Sequence, residues 1–265
     1  MTAMLRAYLS AYLFFLFAPI AIIILFSFHA TPALTFPIEG LSLRWYQTLL
    51  SKPEFVTSLL NSLKVGFFTA VVTTILGTLA ALALIRMKRS QKAIFEWLNF
   101  APIGLPGLFI GIALVTLFAQ IGLPRSLVTV TIAHVLCTLP FFVETMRSRI
   151  SYFDQSLEEA ARDLGASQMQ TFRLVTIPIL APTIAGAAIL SFALSFDEFI
   201  VTVFVSGNDT TLPLYIWSMM RRTVDPSINA ASVIALALSI AVLAAGGFTL
   251  WLQRKRAVAA RDTNE

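Results

Sequence analysis

A single cysteine, Cys137, and only two histidines, His29 and His134, occur in the 265 residues of this chain. One cysteine excludes an intrachain disulfide, and its place inside an apolar run reads as a small packing residue. The histidines stand far apart, without the companion ligands that a metal site needs. No Gly-x-Gly-x-x-Gly or P-loop pattern is present, so any nucleotide has to be bound by another chain, and no enzymatic centre is expected in this one. Charge is scarce: charged residues make up 12%, against roughly 25% in an ordinary soluble domain. Low-complexity stretches, long linkers and internal repeats are also missing, and a single domain over residues 1–265 is the economical reading.

What is abundant is apolar surface, with hydrophobic residues at 57%. A soluble fold of this length could not hide that much from water, whereas a bilayer is itself apolar. A spanning helix needs about 20 mostly apolar residues to cross a core about 30 Å thick. Six segments qualify: Tyr8–Phe28, Leu63–Ile85, Leu98–Ile121, Leu127–Met146, Ile179–Val205 and Ala230–Leu252. The first follows Arg6 closely, as a secretory signal would. Its run exceeds the roughly 7–15 residues of a signal's apolar core, and a retained first span is expected. The chain therefore reads as an all-α membrane protein of six transmembrane helices.

Basic residues set the expected orientation. Arg6, the group Arg86, Lys88, Arg89 and Lys92, the group Arg147, Arg149, Arg162 and Arg173, and the tail Arg254, Lys255, Arg256 and Arg261 fall on one side. The other side has Arg44, Lys52, Arg125, Arg221 and Arg222, and Lys64 sits at the start of a span. Thirteen against five places both termini and the loop at 147–178 in the cytoplasm. The net charge of +5 thus reflects topology, and with no separate basic domain a nucleic-acid partner is excluded.

That loop carries the most specific pattern in the chain. Ser156-Leu157-Glu158-Glu159 reads as a capping box, after which Leu157, Ala160, Ala161 and Leu164 recur at helical spacing on one face. Gly165 suits a helix end, because glycine adopts the left-handed conformation without a Cβ penalty. A second box, Ser167-Gln168-Met169-Gln170, opens the helix that leads to Pro178 and the fifth span. Small alanines allow a partner surface close to the helix backbone, and the two leucines can anchor in apolar hollows. An amphipathic stretch of this length could instead pack on its own bundle.

The spacing E-A-A-x(3)-G-x(9)-V-x-I-P, from Glu159 to Pro178, resembles the EAA signature of ABC importer permeases, E-A-A-x(3)-G-x(9)-I-x-L-P, with Val175 and Ile177 as mild apolar exchanges. The resemblance implies a type I ABC importer permease of the MetI-like fold, in the bacterial cytoplasmic (inner) membrane. In that family the loop forms a coupling helix seated in a groove of the ATP-hydrolysing subunit. Carried over, Leu157, Glu159, Ala160, Ala161, Leu164, Gly165 and Pro178 become the ATPase-coupling residues. The implied partners are two ATP-binding subunits, a second and non-identical permease, a solute-binding protein outside the membrane, and lipid. ATP and Mg would be held by the ATPase subunits, with no cofactor on this chain.

The likeness runs from about Tyr12 to Leu252 and is similar in detail to polyamine permeases. It is carried by Ser42-Leu43-Arg44-Trp45-Tyr46, Asn61-Ser62-Leu63, Ser195-Phe196-Asp197-Glu198-Phe199, Leu212–Met219 and Asn229-Ala230-Ala231-Ser232. Putrescine or spermidine is the solute this implies; related permeases serve opines, phosphonates and other small nitrogen compounds. Asp197 and Glu198 stand well inside the predicted fifth span, where a carboxylate normally faces a cavity, water or a partner. They are candidates for contact with a cationic solute, or for a structural pairing between subunits.

Other features leave two readings open. Pro102, Gly104, Pro106, Gly107 and Gly111 predict a kinked or broken third span, serving either a gate or a close helix crossing. Residues 211–222 mix apolar and aromatic side chains with Arg221 and Arg222, which suits a helix at the membrane surface or a face for the binding protein. His134, with no acidic residue a turn away, reads as a hydrogen-bonded packing residue, and Glu144 as the local ion-pair partner of Arg147 or Arg149. An ion-coupled carrier would leave the 147–178 loop unexplained, and a membrane enzyme lacks its ligands.

Overall fold

Hydrocarbon offers no partner to a backbone N–H or C=O, so spanning segments satisfy these groups internally as helices. The computed structural model describes residues 3–222 and 224–262, without the side chains of residues 85, 250, 252–254 and 256–262. The side chains of Arg254, Arg256 and Arg261 in the basic tail therefore lie outside the described residues. Five helices are long and apolar enough to cross a membrane, and a bent pair makes up to six, which makes this a multi-pass integral membrane protein. They are α1 (Ala3–Ser27), α3 (Pro53–Arg86), α6 (Leu127–Ile150), α9 (Ile177–Asp197, continuous with α8, Gln168–Thr171, through a π-turn at Phe172–Thr176) and α12 (Pro226–Asp262). The bent pair is α4 (Arg89–Gly104) and α5 (Gly107–Gln120). Shorter helices are α2 (Arg44–Leu50), α7 (Ser156–Asp163), α10 (Ile200–Val205) and α11 (Leu212–Met220).

Residues 1–60 and 210–239 form one compact unit. Here the segment after α1, too polar to span, has structure of its own. Ser42 N–H donates to Phe28 O at 2.7 Å, and Trp45 Nε1 donates to His29 O at 2.7 Å. Tyr46 and Ser27 share a 2.6 Å hydroxyl contact. These bonds bury Trp45, the centre of the Ser42–Tyr46 motif, and order α2. Helix α11 forms within residues 211–222, with the Arg221 guanidinium 5.3 Å from the Trp217 ring.

Residues 61–209 and 240–265 form the second unit, which holds two apolar clusters. One gathers Ile110, Leu114 and Phe118 of α5 with Val130, Ala133, Val201 and Val205. The other packs Phe142, Met146 and Ile150 of α6 against Ala81, Leu180 and Ala187. Cys137 is half-buried beside the first.

Two predicted spans prove to be broken. The segment Leu98–Ile121, expected as one kinked or broken helix, is α4 and α5 meeting at 106°. Leu105 is extended there because Pro106 disfavours the helical conformation before it and has no N–H to donate. The segment Ile179–Val205, read as one continuous span, stops at Asp197; Glu198 is extended (ψ 118°) before α10 begins. Parts of the broken spans lie against one another. Gly107 and Gly111 face Ile200 and Phe204, and a Cβ at Gly111 would collide with the Phe204 ring. Gly111 is therefore a close-crossing glycine, whereas a Cβ at Gly104 would meet nothing within 4 Å.

Candidate functional site

Helix α7 is built as the sequence suggested at its end but not at its start. The expected Ser156–Glu159 box does not form. Ser156 is already helical, and its N–H donates instead to the Asp154 carboxylate at 3.0 Å, a charged acceptor two residues upstream. Hydrogen bonds from the side chain and backbone of Ser156 hold the Asp154 carboxyl below its ordinary range. At the other end Gly165 takes φ +86°. Gly165 N–H donates to Arg162 O at 2.9 Å and Ala166 N–H to Ala161 O at 3.0 Å, the paired bonds of a Schellman motif. The second box forms as expected: Ser167 N–H donates to Gln170 Oε1 at 2.8 Å and Gln170 N–H to Ser167 Oγ at 3.3 Å.

The faces of α7 are turned the opposite way from a helix that packs on its own bundle. Leu157 is 46% exposed and Leu164 is 91% exposed, with Ala160 exposed and Ala161 half-buried on the same face. Glu158 turns inward instead, and Arg162, though exposed, lies at the rim of the same side. Glu158 is half-buried and accepts a 2.5 Å hydrogen bond from the Thr176 hydroxyl, while Arg162 Nε donates to Glu158 O at 3.2 Å. Behind them lies a cavity of about 680 Å³, walled by Leu79, Leu82 and Arg86 of α3 and by Phe153, Met169 and Leu180. Glu159 is exposed at the side of the helix.

Thr176 closes the π-turn, in which Ile177 N–H reaches back to Phe172 O. The wider turn is explained by Pro178, which has no N–H to give Leu174 O and whose ring crowds that carbonyl. Pro178 is exposed at the start of α9. Glu158, which the sequence presents as one of the charges that would orient a partner, is turned inward instead, and sequence reasoning missed Thr176.

The acidic pair is not well inside a span, as expected, but at the break between α9 and α10. Asp197 is the last residue of α9 and is exposed; Glu198 follows it and is half-buried. The break has a local cause: Glu198 Oε1 accepts from Val201 N–H at 3.0 Å and so starts α10. Fully buried His134 reaches both helices, with Nδ1 2.7 Å from Ser195 Oγ and Nε2 2.8 Å from Thr202 Oγ1. It is the hydrogen-bonded packing residue that the sequence implied. Past α10, Thr129 Oγ1 donates to Val205 O at 2.8 Å, and Asp209 accepts from Leu127 N at 3.0 Å. Elsewhere Glu144 pairs with Arg147 at 3.5 Å as expected, and Glu96 of α4, which had not been singled out, pairs with it at 2.9 Å.

A family model described as the inner membrane component of binding-protein-dependent transport systems matches residues 73–257. The chain belongs to this permease family. It is 34% identical over 251 residues to the putrescine transport system permease protein PotI of Escherichia coli strain K12, covering 92% of this chain and 88% of that one. It is 33% identical over 241 residues to the spermidine/putrescine transport system permease protein PotC of the same strain, covering 90% of each. Among solved structures, a bacterial ABC transporter for import of the acidic polysaccharide alginate matches with a TM-score of 0.73 at 15% identity, over 94% of this chain and 93% of that chain. The MetNI methionine ABC transporter in an inward-facing conformation matches with a TM-score of 0.65 at 16% identity, over 78% and 97%. At such identities these likenesses carry the fold, and it is the ABC importer permease fold that the loop motif implied.

Proposed function

We propose that this chain is one permease subunit of a polyamine importer, forming half of the pathway and converting ATP hydrolysis on a separate subunit into alternating access. The observation that carries the reading is the outward apolar face of α7. Leu157, Ala160 and Leu164 are left uncovered, with Ala161 half-buried beside them, while Glu158 is turned inward, an arrangement suited to a partner's groove. Glu159 and Arg162 would orient that partner, and Gly165 and Pro178 set where the loop begins and leaves the helix. The partner class is the ATP-binding subunit, two per assembly, each holding ATP and Mg. A second permease and an extracytoplasmic solute-binding protein complete the complex, in the bacterial inner membrane with both termini cytoplasmic.

The polyamine reading is supported by the putrescine and spermidine relatives and by Asp197 at the end of α9. Carboxylates form charge-assisted hydrogen bonds with the ammonium ends of such solutes. Glu198 is the weaker candidate, because it is half-buried whereas Asp197 is exposed. The test is ATPase activity of the complex reconstituted with its ATPase, second permease and binding protein. Stimulation by putrescine or spermidine alone supports the reading, and stimulation only by another nitrogen compound replaces the solute but keeps the permease. Leu164→Asp should detach the ATPase subunit in a co-purification assay; retained association would remove the docking assignment.

A further inference from the structure

The hydrogen bond between Glu158 and Thr176 does something that the exposed face of α7 cannot. Docking moves α7, but import requires that the motion reach a helix that crosses the membrane. Force passes through packed side chains or hydrogen bonds, and between α7 and α3 the packing is interrupted by the cavity of about 680 Å³, so that α7 packs chiefly against α8 and the π-turn. Leu79 and Leu82 of α3 line that hollow and do not fill it. Across its edge, the Glu158 carboxylate accepts from Thr176 at 2.5 Å, and Thr176 is buried at 3% exposure. A charge-assisted bond in such a setting is among the stronger and more directional ones available.

The placement of Thr176 adds a second observation. It is the last residue of the π-turn that joins α8 to α9. One extra residue in a helical turn re-aims every later side chain by about 100° relative to an uninterrupted helix. The turn therefore decides which side chain at the foot of α9 meets Glu158. Arg162, one turn along α7, donates Nε to Glu158 O and holds the backbone at the same point.

We propose that Glu158 and Thr176 are positioning residues that tie α7 to the foot of α9, so that the docked helix and the spanning helix move as one body. The inference rests on α7 being the ATPase-docking element and assigns the step after docking. The tie passes motion inward, while Leu157 and Leu164 receive it.

The test uses the full complex in proteoliposomes, with radiolabelled putrescine, and reads solute imported per ATP hydrolysed. Thr176→Val keeps shape and β-branching and removes the donor; Glu158→Ala removes the acceptor; Glu158→Gln keeps an accepting oxygen. Thr176→Val and Glu158→Ala should each lower the ratio about tenfold, with ATPase association and basal hydrolysis at wild-type level. Their combination should be no worse than either alone, because one bond is lost once. Glu158→Gln should retain most of the coupling. A wild-type ratio in Thr176→Val overturns the proposal. Loss of ATPase association in Thr176→Val overturns it too, because the bond would then only hold the loop's fold. Failure of the docking reading has a different sign: Leu164→Asp would keep its ATPase subunit.

Discussion

The imidazole Nε2 of His134 stands 2.8 Å from the Thr202 hydroxyl, and in this pair the imidazole is the donor. Thr202 already gives its proton to Glu198 O at 2.9 Å, so its oxygen can only accept from the ring. The neutral imidazole then accepts at Nδ1 from Ser195 at 2.7 Å. The bonds run in one direction from α9, through α6, to the carbonyl at the break. They give the broken span a fixed geometry in place of a backbone ladder.

Replacing His134 with Phe should therefore loosen α10. Ser195 would be left buried without its ring partner, at a cost of about 1–3 kcal/mol. Faster amide exchange at Val201–Val205, with exchange in α6 unchanged, is the expected result. His134→Gln, which can both donate and accept, should fall between the two.

Gly165→Pro should uncouple the pump. Proline fixes φ near about −65°, whereas Gly165 sits at +86° and its N–H is given to Arg162 O. The protein should insert normally, and the assembled complex should hydrolyse ATP with little import. Gly165→Ala is milder, because a Cβ there meets nothing within 4 Å and the cost is backbone strain alone, about 1–2 kcal/mol. Normal import by the proline variant would count against the role of this turn.

Asp197→Asn should raise the half-saturating concentration of a cationic solute about tenfold while leaving maximal ATPase activity unchanged. Glu198→Gln should act less strongly, since an amide oxygen can still accept from Val201 N–H. Unchanged uptake in Asp197→Asn would leave the acidic pair a structural role.

Gly104 and Gly111, on either side of the α4–α5 bend, separate packing from mere permissiveness. Gly111→Ala drives a methyl into the Phe204 ring and should destabilise by about 1–3 kcal/mol, read as a lower melting temperature in detergent. Gly104→Ala meets nothing and should stay within about 0.5 kcal/mol of the parent. Equal effects would contradict the crossing described for α5 and α10.

These contrasts also mark what could be read in the sequence. Spans one, two, four and six were visible because long apolar runs have few alternatives, and Gly165 and Ser167 marked helix ends by local chemistry alone. The bend at Pro106 was half visible for the same reason. The break at Glu198 was hidden, since Leu194 to Ile200 contains neither proline nor glycine and its partner His134 lies 61 residues from Ser195. The inward turn of Glu158 was hidden because an amphipathic pattern fixes which residues share a face. It does not say which face meets the bundle.

The uncovered leucines of α7 have a consequence before any solute is moved. On the docking role proposed for α7, a copy of this chain that has not met an ATPase subunit would carry Leu157 and Leu164 in water, an apolar tag of the kind that chaperones and membrane proteases recognise. Assembly would conceal the tag. The surface that receives the power stroke would then also set the lifetime of orphan subunits, matching the amount of permease to the amount of motor without a separate regulator.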